Sequence, residues 1–251
     1  MTSAISPAAG LAGKTILVTG ASSGLGQHFC AMLKAQGARV IGLARRDLAG
    51  APNIDLAIQA DVADPQSVNA AIEKTLGSPG SKETLYGLIN NAGIAITAGL
   101  HETSPEDEQR VLLTNLSGIT NMTRTLVPHL KSSGGGVIVN IASVLGIRPL
   151  KKVAIYSATK AAVIQMTRSG AIELARDNIR VNALAPGYVR TNLNAELLDG
   201  PAGDALKKKI PLGRFAQLQE LDAPLTCLLD PANSYMTGSV LLVDGGMSAG
   251  L

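Results

Sequence analysis

The chain has 251 residues and a net charge of +3, with 46% hydrophobic and 16% charged residues. Two Phe, four Tyr and no Trp leave few rings to stack on bases, which argues against binding of single-stranded nucleic acid. No apolar run reaches the ~18 residues of a membrane span, and residues 1–13 lack the basic and apolar blocks of a secretion signal, so we expect a soluble cytoplasmic protein.

Strand-like apolar runs alternate with helix-like stretches almost throughout, which predicts a doubly wound parallel α/β sheet covered by helices on both faces. No linker or repeat divides the chain, so we expect one domain over residues 1–251. Pro65 and Pro105 fit first helical turns, with Asp64 and Ser104 as N-caps. Strands are predicted near residues 14–19, 39–43, 56–60, 85–90, 136–142, 179–184 and 239–243, and helices near 24–36, 65–76, 105–131, 156–177 and 219–229.

A glycine-rich turn follows the first predicted strand and precedes the first predicted helix. Glycines let the backbone approach a pyrophosphate closely, and the helix N-terminus offers unpaired N–H donors. The spacing is Gly-x-x-x-Gly-x-Gly, which departs from the commoner dinucleotide fingerprint. The candidate phosphate-binding residues are Gly20, Ser22, Ser23, Gly24, Leu25 and Gly26.

Ser143, Tyr156 and Lys160 are the candidate catalytic residues. Ser143 closes an apolar run that predicts a buried parallel strand, so its hydroxyl should lie at the carboxyl end of the sheet, where such folds bind ligands. A spacing of four places Tyr156 and Lys160 on one helix face. A nearby cation would favour the phenolate of a tyrosine, whose pKa is ordinarily ~10.

The segment near residues 188–212 breaks the alternation and is long for a connection, which predicts a lid over the substrate. Its basic run, residues 207–209, fits a solvated loop better than an anion site. Cys30 and Cys227 fit free thiols. The histidines lack metal-ligand spacing, so no metal is expected; they are His28, His101 and His129.

These motifs together resemble the classical short-chain dehydrogenase/reductase family. The resemblance runs from about Leu11 to Met247 and includes Asn90-Asn91-Ala92-Gly93, Asn115, and Pro186-Gly187 followed by Thr191. It implies a Rossmann-type sheet of seven strands in the order 3-2-1-4-5-6-7. It also implies a nicotinamide cofactor and hydride transfer at a carbonyl carbon.

The resemblance also implies roles for individual residues. Tyr156 would be the general acid or base, and Ser143 would donate a hydrogen bond to the substrate oxygen. Lys160 would hold the nicotinamide ribose and lower the tyrosine pKa, while Asn115 would anchor a water linking Lys160 to solvent. The implied cofactor contacts are Asp61, Val62, Asn91, Ala92, Gly93, Pro186, Gly187, Val189 and Thr191, in addition to Tyr156 and Lys160; Asn91 and its neighbours could instead serve as turn residues.

The end of the second strand predicts NADP(H) rather than NAD(H). A carboxylate at about Ala44 would bind the ribose 2′-hydroxyl and repel a 2′-phosphate, but alanine stands there. Arg45 can offer charge and a fork of donors to the phosphate. A solvated role for Arg45 remains the alternative.

The leading hypothesis is an NADP(H)-dependent oxidoreductase acting on a small-molecule ketone or secondary alcohol. The alternatives are a 3-oxoacyl-(acyl-carrier-protein) reductase, with Lys152 and Arg176 as possible carrier contacts, and a non-catalytic NADP-binding sensor. The resemblance implies a homotetramer or homodimer that pairs through the long helices and the C-terminal strand. Residues near 144–153 and 188–212 are expected to line the substrate cleft. Their apolar members suggest a largely apolar carbonyl compound; they are Leu145, Ile147, Leu150, Leu193, Leu197 and Leu198.

Overall fold

The computed structural model describes residues 10–81, 84–191 and 198–250, and within them one parallel sheet holds seven strands. The strand order is β3-β2-β1-β4-β5-β6-β7, which confirms the predicted fold class and sheet order. Each predicted strand is present, with its ends displaced by two residues at most. The strands are β1 (Thr15–Thr19), β2 (Arg39–Ala44), β3 (Leu56–Gln59), β4 (Gly87–Asn90), β5 (Gly136–Ile141), β6 (Ile179–Pro186) and β7 (Val240–Val243).

Helices cover both faces of this sheet. Within the described ranges they are α1 (Gly24–Ala35), α2 (Pro65–Leu76), α3 (Pro105–Leu112), α4 (Gly118–Ser132), α5 (Ala154–Leu174), α6 (Pro201–Lys207) and α7 (Asp222–Leu229). The N-cap predictions are confirmed, since Asp64 accepts a hydrogen bond from Gln66 N and Ser104 accepts one from Asp107 N. These caps fix where α2 and α3 begin.

The apolar core lies on the two faces of the sheet. Successive strand residues point to opposite faces, so Ile16 packs with α1 and α7 while Leu17 packs with α2 and α4. Phe29 of α1 is fully buried on the first face, and Met122 of α4 is fully buried on the second. The core fixes the carboxyl ends of the strands, where the side chains predicted to be functional lie.

Three helical segments differ from the predictions. The helix predicted over residues 105–131 is interrupted by a π-helical turn, Leu113–Ser117, between α3 and α4. The helix predicted from residue 219 begins as a 3₁₀ turn, Leu218–Leu221, before α7. Helix α6 was not predicted, because Gly200 and Pro201 resemble a turn; here Gly200 is the N-cap and Pro201 occupies the first helical turn.

The two cysteines lie in different surroundings. Cys30 is buried in the core and Cys227 is half-buried, and both are free thiols. Burial raises the pKa of Cys30 to about 12, so this thiol stays protonated and unreactive. Among the described helices, none has both the length and the apolar character needed to cross a bilayer.

Candidate active site

A cleft of about 1240 Å³ opens at the carboxyl ends of the strands. It runs past the ends of β1 and β4, the neighbouring strands at which the chain order reverses. Open α/β sheets bind ligands at this position because the loops on either side of the reversal diverge. The glycine turn forms one part of the wall, and Ser143, Tyr156 and Lys160 form another.

The glycine turn has the backbone geometry that a phosphate site needs. Gly20 and Gly24 have φ values of 68° and 55°, in the left-handed region that favours glycine. A Cβ on Gly26 would lie 2.2 Å from the carbonyl oxygen of Gly20, so a side chain there would push α1 off the turn. The N-cap Ser23 makes no side-chain capping bond, and the first turn of α1 carries no acidic residue. This geometry fits a bound pyrophosphate.

Asn91 holds the turn after β4 against the glycine turn. Its Nδ2 donates to Thr19 O at 2.9 Å, and Thr19 Oγ1 accepts from the backbone N–H groups of Asn91 and Ala92 at 3.0 Å each. Asn91 also lines the cleft. Its structural role is therefore visible, and contact with a cofactor stays a prediction. Sequence reasoning missed Thr19, whose signal is a hydroxyl at the last residue of a buried strand.

Ser143 and Tyr156 are brought together by a tight contact between two helical segments. The 3₁₀ turn Val144–Gly146 follows Ser143 and packs directly on α5, where a Cβ on Gly146 would lie 2.6 Å from the carbonyl carbon of Lys160. Ser143 Oγ accepts a hydrogen bond from Leu145 N at 3.1 Å. Its own proton is thus available to the Tyr156 oxygen or to a substrate oxygen.

Lys160 is buried, and its ammonium group is held by the end of β5. Its Nζ donates to Ile141 O at 2.7 Å and lies 5.6 Å from the centre of the Tyr156 ring. The residue is 5% exposed. Burial disfavours the charged form and lowers the pKa of Lys160 to about 8.

The pKa of Tyr156 differs from the expectation. Burial raises the pKa of Tyr156 above its ordinary value, and the hydrogen bond with Ser143 opposes that rise. Lys160 does not lower it in this structure, because the ammonium group bonds to Ile141 O and is itself destabilised by burial. The hydrogen bond with Ser143 therefore provides the local stabilisation of the phenolate.

Asn115 lies behind the cleft rather than in its wall. The π-helical turn places it fully buried, with Oδ1 accepting from Ile94 N at 2.8 Å and Nδ2 donating to Ile94 O at 2.9 Å. Nδ2 also donates to Thr159 Oγ1, which donates to Tyr156 O. Asn115 thus connects the loop after β4 to the first turns of α5. Thr159 was missed, although it shares a helix face with Tyr156.

The predicted site residues run from Gly20 to Thr191, and most of them lie in the wall of the cleft. Gly26 is an exception, since it packs beneath the turn, and Asn115 is the other. Arg46 was not predicted but lines the cleft beside Arg45. The predicted residues in the wall are Gly20, Ser22, Ser23, Gly24, Leu25, Arg45, Asp61, Val62, Asn91, Ala92, Gly93, Ser143, Tyr156, Lys160, Pro186, Gly187, Val189 and Thr191.

Fewer of the residues predicted to contact the substrate lie in the wall of the cleft. Leu145 and Leu150 line the cleft. The prediction for Ile147 was wrong, because this residue is 45% exposed and lies outside the cleft wall. The prediction for Leu198 was wrong as well, since this residue is buried in a small cluster with Val144 and Phe215. Residues 193 and 197 lie outside the described residues.

Two lysines of the basic run, Lys208 and Lys209, are exposed, as expected of a solvated segment. Lys209 lines the cleft, whereas Lys207 is paired with Asp204 at 3.1 Å. The cleft wall also includes Lys151 and Lys152 from the loop before α5. Both fall within residues 144–153, the segment that the sequence predicted to line the substrate cleft.

A family model described as "Enoyl-(Acyl carrier protein) reductase" matches residues 20–248. A 3-oxoacyl-(acyl-carrier-protein) reductase from Thermotoga maritima is 36% identical over 246 residues, covering 94% of this chain and 98% of the relative. A 3beta-hydroxysteroid dehydrogenase from Eggerthella lenta is 36% identical over 250 residues, covering 95% of each chain. The protein belongs to the short-chain dehydrogenase/reductase family of oxidoreductases.

Solved structures agree with this assignment. A gluconate 5-dehydrogenase from Burkholderia cenocepacia, in complex with NADP and tartrate, superposes with a TM-score of 0.87 at 31% identity and covers 96% of this chain and 97% of that one. The relatives' names differ in substrate, so family membership defines an oxidoreductase but not its substrate.

The buried Lys160 predicts a pH dependence of stability. Its pKa of about 8 in the folded protein lies below the ordinary 10.5, so the unfolded chain binds the proton more tightly. The burial penalty is fully present below about pH 8 and is relieved as the pH rises to about 10.5. That relief amounts to about 3 kcal/mol at about 1.36 kcal/mol per pH unit.

Lys160→Met removes this titration while keeping the length of the side chain. We expect the free energy of unfolding of the wild type, relative to the variant, to rise by about 3 kcal/mol between pH 8 and 10.5. Chemical denaturation of both cofactor-free proteins across this range measures the difference. If the free energies of unfolding of the two proteins changed with pH in the same way, Lys160 would have an ordinary pKa.

Proposed function

We propose that the protein is an NADP(H)-dependent oxidoreductase that transfers hydride between the nicotinamide and a ketone or secondary alcohol, with Tyr156 as general acid or base. One observation carries this proposal. A single cleft holds the glycine turn, Arg45 and the set Ser143, Tyr156 and Lys160. A dinucleotide on the turn would therefore extend toward groups able to protonate a carbonyl oxygen.

Bound NADPH supplies the hydride for reduction, and the chain's own residues act on the oxygen. As the carbonyl oxygen gains negative charge, the Ser143 hydroxyl donates a hydrogen bond to it and Tyr156 transfers its phenolic proton. Donors already fixed at that position stabilise the developing charge without reorganising. Ser143 is fixed by Leu145 N, and Tyr156 by its place in the first turn of α5.

Lys160 completes the proton relay in this proposal. Its ammonium group lies on the Tyr156 face of α5, and a pKa of about 8 allows it to exchange protons near neutral pH. In alcohol oxidation, Tyr156 must be a phenolate before it accepts a proton. Hydrogen bonding from Ser143 favours that state.

The choice of NADP(H) rests on the end of β2. Ala44 is buried and carries no carboxylate, while Arg45 and Arg46 line the cleft beyond it. The Arg45 side chain is 73% exposed, with Nη1 3.9 Å from Asp61 Oδ2, so it can reorient toward a 2′-phosphate. The similar gluconate 5-dehydrogenase was crystallised with NADP.

We also propose that residues 188–212 form a lid. Ala205 and Leu206 of α6, with Lys209 after it, line the cleft, while the other side of this segment contacts solvent. An isolated bridge between Val189 and Ala216 brings the chain before and after the short helix together. The helix can thus move as a unit over a bound substrate.

A 3-oxoacyl-(acyl-carrier-protein) reductase is the second candidate, favoured by the relative of that name and by Lys152 at the cleft. The third candidate, a non-catalytic sensor, is less favoured because it has no need of a proton donor directed into the cleft.

We also propose that the protein is cytoplasmic. Cys30 and Cys227 are free thiols, which is the state expected of cysteines in the reducing environment of the cytoplasm.

We propose further that copies of the chain pair through α4 and α5. These helices form a surface groove of about 610 Å³, and Ile172 of α5 is 80% exposed. Leu112 and Leu113, at the junction of α3 and the π-helical turn, are more than a third exposed. Large apolar side chains exposed on neighbouring helices favour association between copies.

Tyr156→Phe tests the proton-transfer role. We expect kcat for carbonyl reduction to fall by about 10²- to 10⁴-fold, because the ring remains but its proton is lost. The Kd of NADPH, measured by fluorescence, should change little. Tyr188→Phe is the matched control, since Tyr188 also lines the cleft, and it should retain most of the turnover. Undiminished turnover by the Tyr156 variant would reject the role.

Arg45→Ala tests cofactor choice. Loss of a charge-assisted hydrogen bond to the 2′-phosphate should raise the KM of NADPH by about 10- to 100-fold. NADH lacks that phosphate and serves as the internal control, with a KM that should change little. Steady-state kinetics with both cofactors decide the matter. A wild-type preference for NADH would contradict the proposal.

Ile172→Glu tests the pairing surface. A buried carboxylate at a helix interface is unfavourable, so the variant should shift toward monomers in sedimentation velocity. Tyr235→Glu is the control, because Tyr235 is fully exposed and lies outside α4 and α5. A wild type that sediments as a monomer would rule out the pairing.

A further inference from the structure

The two ends of the cleft carry different charged groups. Arg45, Arg46 and Asp61 lie at the end beyond β2. At the end beyond β5, the charged residues in the described part of the wall are all lysines. They are Lys151, Lys152, Lys160 and Lys209.

The ammonium group of Lys160 is bound by Ile141 O, but the other three lysines have no such partner among the described residues that line the cleft. Lys151 and Lys152 precede α5, and Lys209 follows α6, so they come from two separate walls. Within the described residues, their ammonium groups form no ion pair with a carboxylate. The contrast with Lys207 is direct, since Lys207 is paired with Asp204 and lies 5.4 Å from the centre of the Phe215 ring.

Lys152 occupies a backbone position that lysine rarely adopts. Its φ is 66°, in the left-handed region where glycine and asparagine are favoured. The conformation is held by a hydrogen bond from Ala98 N to Lys152 O at 2.9 Å and by the bridge between Ala98 and Val153. Backbone strain of this kind collects at ligand sites.

Like charges that line one end of a cleft without counterions repel one another, and a bound anion relieves that repulsion. The same end of the cleft also has apolar walls, formed by Leu145, Leu150, Val153 and Leu206. A ligand that suits both features has a hydrocarbon body and an oxyanion. A neutral ketone would use the apolar walls and leave the lysines without a partner.

We propose that the substrate is a small oxo or hydroxy compound with a carboxylate or phosphate group, which Lys151, Lys152 and Lys209 bind while Tyr156 faces the reacting oxygen. This inference rests on the proposed oxidoreductase function. It adds a charged group to the largely apolar carbonyl compound expected from the sequence. It also assigns Lys209 to substrate binding, whereas the basic run had been expected to be solvated.

The test compares matched substrates with NADPH. Oxo acids of increasing length are each paired with their methyl esters, which keep the ketone and lose the charge. Dihydroxyacetone phosphate is paired with dihydroxyacetone. A 3-oxoacyl group is presented both on a short thiol and on an acyl-carrier protein. The measured quantity is kcat/KM, followed by loss of NADPH absorbance.

We expect at least one charged member to exceed its neutral partner by about tenfold or more in kcat/KM. The charged compound with the larger advantage in kcat/KM identifies the oxyanion as carboxylate or phosphate. The preference should decline as ionic strength rises, because the lysines are exposed.

Variants then locate the charge recognition. Lys151→Met, Lys209→Met and Lys152→Asn should each lower the ratio of charged to neutral kcat/KM, chiefly through KM; asparagine is chosen at 152 because it tolerates the left-handed conformation. Lys208→Met is the control, since Lys208 is exposed, adjoins Lys209 and lies outside the cleft wall. It should leave the ratio unchanged.

The possible failures are distinguishable. Equal kcat/KM for every charged compound and its neutral counterpart, or equal losses on both in the lysine variants, would overturn the inference while the oxidoreductase function stands. A strong preference for the carrier-protein thioester over every small oxyanion would also overturn it. No turnover of any carbonyl compound, despite tight NADPH binding, would instead remove the proposed function.

Discussion

The buried hydrogen bond between Lys160 Nζ and Ile141 O is the interaction on which the rest of the site depends. It ties α5 to the carboxyl end of β5 at 2.7 Å, and this places Tyr156 one helical turn away at the mouth of the cleft. Gly146 permits the same close approach from the other side. The sheet, the 3₁₀ turn and α5 therefore meet at Lys160, and the hydroxyls of Ser143 and Tyr156 come together as a result.

This arrangement has an electrostatic consequence. Burial disfavours the charged forms of both Lys160 and Tyr156, so the site is suited to moving a proton rather than holding a fixed ion pair. Asn115 and Thr159 fix the backbone around the pair through neutral hydrogen bonds. The π-helical turn that buries Asn115 is a local irregularity of a kind frequently found at functional sites.

The sequence predicted the sheet well, because buried parallel strands are continuous apolar runs and helix starts carry local signals such as Asp64 and Ser104. The π-helical turn was not predictable, since Leu113–Ser117 has an ordinary helical pattern. Side-chain directions were also not predictable, which explains the errors at Ile147 and Leu198. The pKa of Tyr156 could not be inferred from spacing, because desolvation depends on the whole fold around it.

The central claim is that Tyr156 gives a proton to the same carbonyl that receives hydride. Combined isotope effects on kcat/KM test it most directly, using NADPH deuterated at the transferring position in water and in heavy water. The account predicts a primary effect from the cofactor and a solvent effect that persists when the cofactor is deuterated, because both transfers contribute to one step. A primary effect with no solvent effect would contradict proton donation by Tyr156 in that step.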